Sequence, residues 1–301
     1  MTFQQMQYVL EVYRAGSISR AAKKLFVGQS SVSLSISSVE KELGYSVFIR
    51  EKNGVIPTPR GREVIAQAAR ICESYRIITG PEQEGCTQIW IINGGSTYCT
   101  RNAAVRLMEE NKGRSDVVFR FTDASRIPQM QQVALFEADL CLRFVFAQQM
   151  HKLEAQLQDK ELRWMELGEY PVAIHLGSGH RLYNAEDVDA SMLEDDWFID
   201  TAKKSMANHP IVNAVVTVRP DRVLAVSDAV LRAQMLEQGL GYMVRPVMPH
   251  APDQLRRIPL EKFRLKLLAI YNPARPMRPE VSRYLGLLKE ELARGENDVS
   301  V

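Results

Sequence analysis

Six serines stand within nine residues, at Ser30, Ser31, Ser33, Ser35, Ser37 and Ser38, in a stretch that also holds Gln29, Leu34 and Lys41. Between them Val32, Ile36, Val39 and Leu43 are spaced four, three and four. That spacing predicts a helix with one buried stripe. Ser33, Ser37, Ser38 and Lys41 then fall on its opposite face. Small hydroxyls let a helix approach a nucleic-acid groove closely and hydrogen-bond there, which is the chemistry of recognition rather than of bond cleavage.

The neighbouring residues supply what such a helix needs to be held in place. Gly44 fits the left-handed position that ends a helix. Upstream, Ala21 and Ala22 allow a preceding helix to cross at close range, and Phe26-Val27-Gly28-Gln29 is a short turn between the two. This is the geometry of a helix-turn-helix, whose second helix enters the major groove. A first helix is predicted from Thr2, with Gln5 completing a capping box, through Phe3, Met6, Val9, Leu10 and Tyr13 to Gly16. The second starts at Ser17 or Ser19 and ends its apolar stripe at Leu25.

Beyond Gly44, Val47-Phe48-Ile49 and Val55-Ile56 flank Asn53-Gly54, a strong hairpin signal. Arg50 and Lys52 sit beside that turn. Most such residues are solvated surface charge; a wing next to a helix-turn-helix favours phosphate contact instead. The expected DNA-facing set is Ser19, Gln29, Ser30, Ser31, Ser33, Leu34, Ser35, Ser37, Ser38, Arg50 and Lys52. Charge is distributed to match: residues 1–62 hold nine Lys or Arg against four Glu, and the rest of the chain is mildly acidic.

Thr58-Pro59 is a helix start. Val64, Ile65, Ala68, Ile71, Cys72, Tyr75 and Ile78 keep helical spacing to about Gly80-Pro81. This long apolar stripe either dimerises or packs on the chain's own body.

Residues 1–80 resemble the winged helix-turn-helix and linker helix of LysR-type transcriptional regulators. The match lies in Phe3 and Leu10, in Gly16-Ser17-Ile18-Ser19-Arg20-Ala21-Ala22 and Leu25, and in Gln29-Ser30-Ser31-Val32-Ser33 with Ile36, Glu40 and Leu43-Gly44. It continues through Phe48, Arg50, Thr58-Pro59 and Gly61. The chain departs from the family pattern at Ser35, where a Gln or Arg is usual, and at Val39, where a Leu is usual. With few long side chains on the reading helix, specificity leans on DNA shape and on the wing. The resemblance implies a double-stranded DNA operator, a homodimer assembling into a homotetramer, RNA polymerase as a further partner, and a cytoplasmic, nucleoid-associated location.

From Gln88 strands and helices alternate, which implies mostly parallel α/β layers. The expected fold is multidomain: an all-α winged helix-turn-helix with a linker helix, then two α/β lobes. The resemblance makes the lobes periplasmic-binding-protein-like, with the chain crossing between them near residues 165 and 262. Expected boundaries are 1–58 for the DNA-binding domain, 59–87 for the linker and hinge, and 88–301 for the effector-binding domain. Lobe I takes about 88–164 and 265–295, and lobe II about 165–264.

A cleft beyond the carboxyl ends of parallel strands suits a small polar or anionic metabolite. Its expected contacts are Ser96 and Thr97 at a helix start, Arg143 and Phe144 after the third strand, and Thr201 after the strand ending at Asp200. An ordinary helix cap accounts equally well for Ser96 and Thr97. A vestigial cleft, and an enzyme or carrier body tethered to DNA, are the alternatives.

The sequence holds no P-loop, His-Glu-x-x-His, Gly-x-Ser-x-Gly or Cys-x-x-Cys. No catalytic set, metal site or cofactor is therefore expected. No run of 18 apolar residues suggests a membrane span. Cys72, Cys86, Cys99 and Cys141 make no close pair and are expected as free thiols.

Overall fold

The computed structural model describes residues 1–51, 54–79, 87–94, 97–123, 129–200, 218–219, 221–249 and 254–294. They form two compact units. The first comprises Met1–Thr87 with two short returning segments, Ala134–Glu137 and Ala274–Pro276. The second holds the rest.

In the first unit, helix α1 (Phe3–Ala15) opens with the expected capping box. Thr2 Oγ1 accepts from the Gln5 amide at 3.2 Å, and the Thr2 amide donates to Gln5 Oε1 at 2.7 Å. Gly16 ends it in the left-handed conformation. Helix α2 (Ile18–Lys24) begins at Ser17, whose hydroxyl caps it, which decides between the two serines considered. Helix α3 (Gln29–Leu43) buries Val32, Ile36 and Val39 and ends at left-handed Gly44. Fully burying a side chain of this size stabilises by roughly 1.5–3 kcal/mol.

Strands β1 (Phe48–Glu51) and β2 (Gly54–Pro57) pair antiparallel, Phe48 opposite Pro57 and Glu51 opposite Gly54. Helix α4 (Pro59–Thr79) follows directly. Thr58 Oγ1 accepts from the Gly61 amide at 2.8 Å, and the Thr58 amide donates to the Val47 carbonyl at 2.9 Å. A β-carbon at Gly61 would lie 2.0 Å from that same carbonyl oxygen, so the wing can close on α4 only over a glycine. Leu135 and Phe136 of the returning segments join the apolar core of this unit. Arg275 reaches Glu73 of α4, Nε to Oε1, at 2.7 Å.

The second unit contains one eight-stranded sheet with strand order β4-β3-β5-β10-β6-β9-β7-β8. Its strands are β3 (Thr87–Asn93), β4 (Val117–Asp123), β5 (Leu140–Phe146), β6 (Arg163–Leu176), β7 (Phe198–Asp200), β8 (Val223–Ala225), β9 (Tyr242–Pro246) and β10 (Arg256–Tyr271). Its helices are α5 (Tyr98–Glu110), α6 (Gln129–Ala134), α7 (Met150–Asp159), α8 (Ala229–Glu237) and α9 (Pro279–Arg294).

The expectation of a mostly parallel sheet is corrected. β3 pairs parallel with β5, and β7 with β8 and β9, but β10 runs antiparallel to β5 and β6, and β6 antiparallel to β9. The cause is how the chain crosses between lobes. Residues near 165 and 262 lie within β6 and β10, two long strands that run side by side in opposite directions through both lobes.

Each lobe keeps its own core. Ile91, Leu107, Leu142, Leu267 and Leu288 belong to one. Val172, Ile174, Phe198, Tyr242 and Leu260 belong to the other. Helix α7 and strand β8 were not expected from the sequence. Pro128 to Phe136 reads as a helix in the sequence; α6 is shorter and ends before Phe136, which takes a positive φ of 58°. Ala214 to Val218 reads as a strand in the sequence; of these residues only Val218 is described, and it lies outside any strand. No helix among the described residues is long and apolar enough to cross a membrane.

Candidate nucleic-acid interface and ligand recess

Helix α3 presents Gln29, Ser30, Ser31, Leu34, Ser37 and Ser38 to solvent, while Ser33 and Ser35 are half-buried. Gly28 precedes the helix and brings no side chain to cap it. Leu34 is 70% exposed on the same face as the serines. Ser38 is turned toward α1, where its Oγ accepts from Gln5 Nε2 at 3.4 Å. Ser35 flanks the buried stripe, at the edge of the reading face rather than its centre. Ser19 is exposed in the first turn of α2.

The wing is tied to this helix at two levels. Glu40 Oε1 accepts the amides of Val47 and Phe48 at 2.8 and 3.0 Å, which fixes where β1 leaves α3. Arg50 Nη2 donates to Ser33 Oγ at 3.5 Å, so an exposed guanidinium stands beside the reading face. Lys52 lies outside the described residues. The sequence reading missed Phe26, 95% exposed with φ 55° in the turn before α3. The signal available for it was an aromatic side chain in a four-residue turn.

In the second unit Gly94, Gln129, Met130, Gln131, Arg143, Phe144 and Lys160 line a recess of 340 Å³. It forms where β3 ends against β5: the Gly94 amide donates to the Leu142 carbonyl at 2.7 Å. Two of the five expected effector residues, Arg143 and Phe144, therefore meet here. Arg143 Nη1 has Met130 Sδ, a weak acceptor, at 3.7 Å. Lys160 adds a second cation, its Nζ 3.9 Å from the Asp159 carboxylate. Among the described residues, no acidic side chain lines the recess.

Thr97 caps α5: its hydroxyl accepts from the Thr100 amide at 3.2 Å and its own amide donates to Thr100 Oγ1 at 2.9 Å. Ser96 and Thr201 lie outside the described residues. Cys72, Cys99 and Cys141 are free thiols, Cys86 being outside the described residues. Burial pushes Cys141 up to about 12. No group of three metal-ligating side chains occurs among the described residues.

A winged helix-turn-helix unit and a two-lobed α/β unit with a cation-lined recess define a two-part regulatory architecture. Comparison with known proteins gives the family. The profile of the bacterial regulatory helix-turn-helix proteins of the lysR family matches residues 3–62, and that of the LysR substrate binding domain matches residues 116–293. The chain belongs to the LysR family.

Among curated relatives, it is 38% identical over 74 residues to the HTH-type transcriptional regulator YcgK of Bacillus subtilis, covering 25% of this chain and 23% of that one. It is 32% identical over 77 residues to the HTH-type transcriptional regulator HdfR of Yersinia pestis, 26% of each. These matches span about a quarter of the relatives' length. Full-length OxyR of Pseudomonas aeruginosa superimposes with a TM-score of 0.64 at 17% identity over 97% of both chains. ArgP of Mycobacterium tuberculosis does so with 0.65 at 17% identity over 96% of both. At that identity the likeness is one of fold.

Proposed function

We propose that the chain is a sequence-specific DNA-binding transcriptional regulator whose DNA binding or bending is switched by a small polar or anionic effector held by its two-lobed unit. The observation that carries this is the exposed face of α3, with its row of serines and Leu34, flanked by a wing guanidinium that hydrogen-bonds to it. Serine hydroxyls suit backbone and base-edge hydrogen bonds, Leu34 suits a thymine methyl, and Arg50 suits a phosphate.

The operator is read by a homodimer. Ile71, Tyr75 and Ile78 on α4 are 44%, 52% and 82% exposed at helical spacing, an apolar face that a second copy's α4 would cover. Two recognition helices then meet successive major grooves roughly 34 Å apart. Pairing of dimers into a tetramer bends the DNA between two such sites, and RNA polymerase is the further partner of a regulator that activates. The protein acts in the cytoplasm, on the nucleoid.

The recess around Arg143 and Lys160 supports effector control. Its lining is cationic and partly apolar, which fits a small anion. Binding alters DNA affinity only insofar as it prefers one quaternary state. The test is selection of bound duplexes from a random pool, then footprinting of the selected site with and without candidate metabolites. Failure to enrich any sequence removes the reading. An enriched site with an unchanging footprint leaves a DNA binder with a vestigial cleft.

A further inference from the structure

Helix α2 ends in a hydrogen-bonding pattern that ordinarily calls for glycine. The Phe26 amide donates to the Lys23 carbonyl at 3.2 Å, and the Val27 amide donates to the Ala22 carbonyl at 3.0 Å. These two bonds make the Schellman motif, with Leu25 as the C-cap and Phe26 at the left-handed position after it. Gly16 and Gly44 end α1 and α3 in the left-handed region with no β-carbon to strain. Phe26 enters that region at φ 55° with a bulky aromatic side chain, which is disfavoured.

Burial does not offset that strain. Leu25 and Val27 on either side pack against the apolar core, whereas Phe26 between them is 95% exposed. Phe136 of the same unit has a φ of 58° but is buried in the core, where burial compensates. Glu161 of the second unit, at φ 52°, carries a charged side chain for which solvent is the favoured surrounding. Among the described residues, Phe26 alone combines a left-handed backbone with an apolar side chain held in water.

Strain retained by an exposed group points to a task outside the fold. The surroundings indicate which. Phe26 lies two residues before Gly28, the N-cap of the recognition helix. Arg20 and Lys23 of α2 are exposed, and from Val12 to Val39 the chain holds no carboxylate. Such a setting suits a polyanion. Duplex DNA is a polyanion that also offers apolar carbon at its groove edges, in the thymine methyl and the deoxyribose.

We propose that Phe26 is a DNA-contacting residue, its ring seated against apolar carbon at the edge of the major groove beside the bases that α3 reads. This rests on the reading of the first unit as a DNA binder and extends its contacts from the reading helix and the wing to the turn before α3. The two Schellman hydrogen bonds fix the backbone of that turn before DNA arrives, so no backbone freedom is lost there on binding.

The test takes the full chain and the duplex it selects from a random pool, and reads anisotropy at several salt concentrations, thermal melting and sedimentation. Phe26→Gly and Phe26→Asn both suit a left-handed backbone and should weaken binding about tenfold. The slope of log affinity against log salt should stay the same, because no phosphate contact is lost. Both variants should melt at or above the parent temperature, since strain is relieved and no buried surface is given up. Val118→Ser, at a half-exposed apolar position of β4, should leave binding unchanged. A duplex with uracil in place of thymine separates the two sources of carbon: the Phe26→Gly loss disappears there if the ring meets a thymine methyl and persists if it meets deoxyribose. The inference falls if the variants bind as tightly as the parent, if the salt slope falls with affinity, if either variant melts lower, or if the loss comes with a change in the sedimenting species. A parent chain that selects no duplex removes the DNA reading and this inference together, whereas equal binding by parent and variants removes this inference alone.

Discussion

Glu40 and Val47 are joined across the end of the recognition helix: one carboxylate oxygen of Glu40 accepts the Val47 amide at 2.8 Å and the adjacent Phe48 amide as well. The wing thus leaves α3 at an angle set by a side chain of α3 itself. Glu40→Ala removes a charged acceptor and orphans two part-buried amides, which is expected to destabilise the first unit by about 1–3 kcal/mol. Operator affinity should fall with it, and Glu40→Gln should restore part of both. Urea unfolding and gel-shift titration check this. Unchanged stability in Glu40→Ala would show that the amides find other acceptors.

Arg50 and Leu34 should fail in different ways. Arg50→Ala is expected to weaken binding to all duplexes alike and to reduce the salt slope by about one counterion. Its exposure makes an effect on stability beyond about 0.5 kcal/mol unexpected. Leu34→Ala should cost roughly tenfold on the selected site and little on unrelated DNA. Fluorescence anisotropy at several salt concentrations separates the two. A sequence-selective loss in Arg50→Ala would reassign the wing to base reading.

Ile78→Glu places a charge at the most exposed apolar position of α4. If two copies meet there, the variant should sediment as a monomer and lose most of its affinity for a two-half-site operator while keeping the fold of each unit. Analytical ultracentrifugation of an unchanged dimer would locate the interface elsewhere.

Acid should attack the two units over different ranges. Burial alone would raise Glu73, but hydrogen bonds from Arg76 and Arg275 overcome it and bring the carboxyl from 4.5 to about 2. A depressed carboxyl contributes stability that is full above pH 4.5 and lost as pH falls toward 2. The shift corresponds to about 3 kcal/mol. Glu73→Gln should flatten acid unfolding of the first unit in that window.

His175 titrates the other way round. Its folded state holds it neutral down to about 3, so the unfolded chain takes up a proton first, below 6.5. Stability of the second unit should fall as pH drops from 6.5 toward 3, with a limiting slope of about 1.4 kcal/mol per pH unit. Burial first, then the charges of Arg245 and Arg257, keep the ring uncharged. His175→Leu should remove the slope, and a slope that persists in the variant would assign it to other groups.

Much of the first unit was legible because its signals are local. The Thr2–Gln5 box, the glycines at positions 16 and 44, the Asn53-Gly54 turn and the Thr58 cap each act within a few residues, and each predicted its element. The second unit depends on pairings distant in sequence. β6 and β10 run past the apolar runs that announced them, because their outer halves pair with each other across residues such as Glu169 and Lys266. Helix α7 escaped notice because its short stretch buries little beyond Leu153 and Leu157. Arg143 and Phe144, expected just after a strand, lie within β5, which continues to Phe146 beyond the apolar run that announces it.

The glycine at position 61 gives the molecule a mechanical property. With the Val47 carbonyl seated against its bare α-carbon and Thr58 bonded on both sides, wing and linker helix cannot swivel independently. A twist applied along α4 therefore carries the wing with it; on the proposed reading, a dimer gripping α4 would be the handle of a crank whose bit is Arg50.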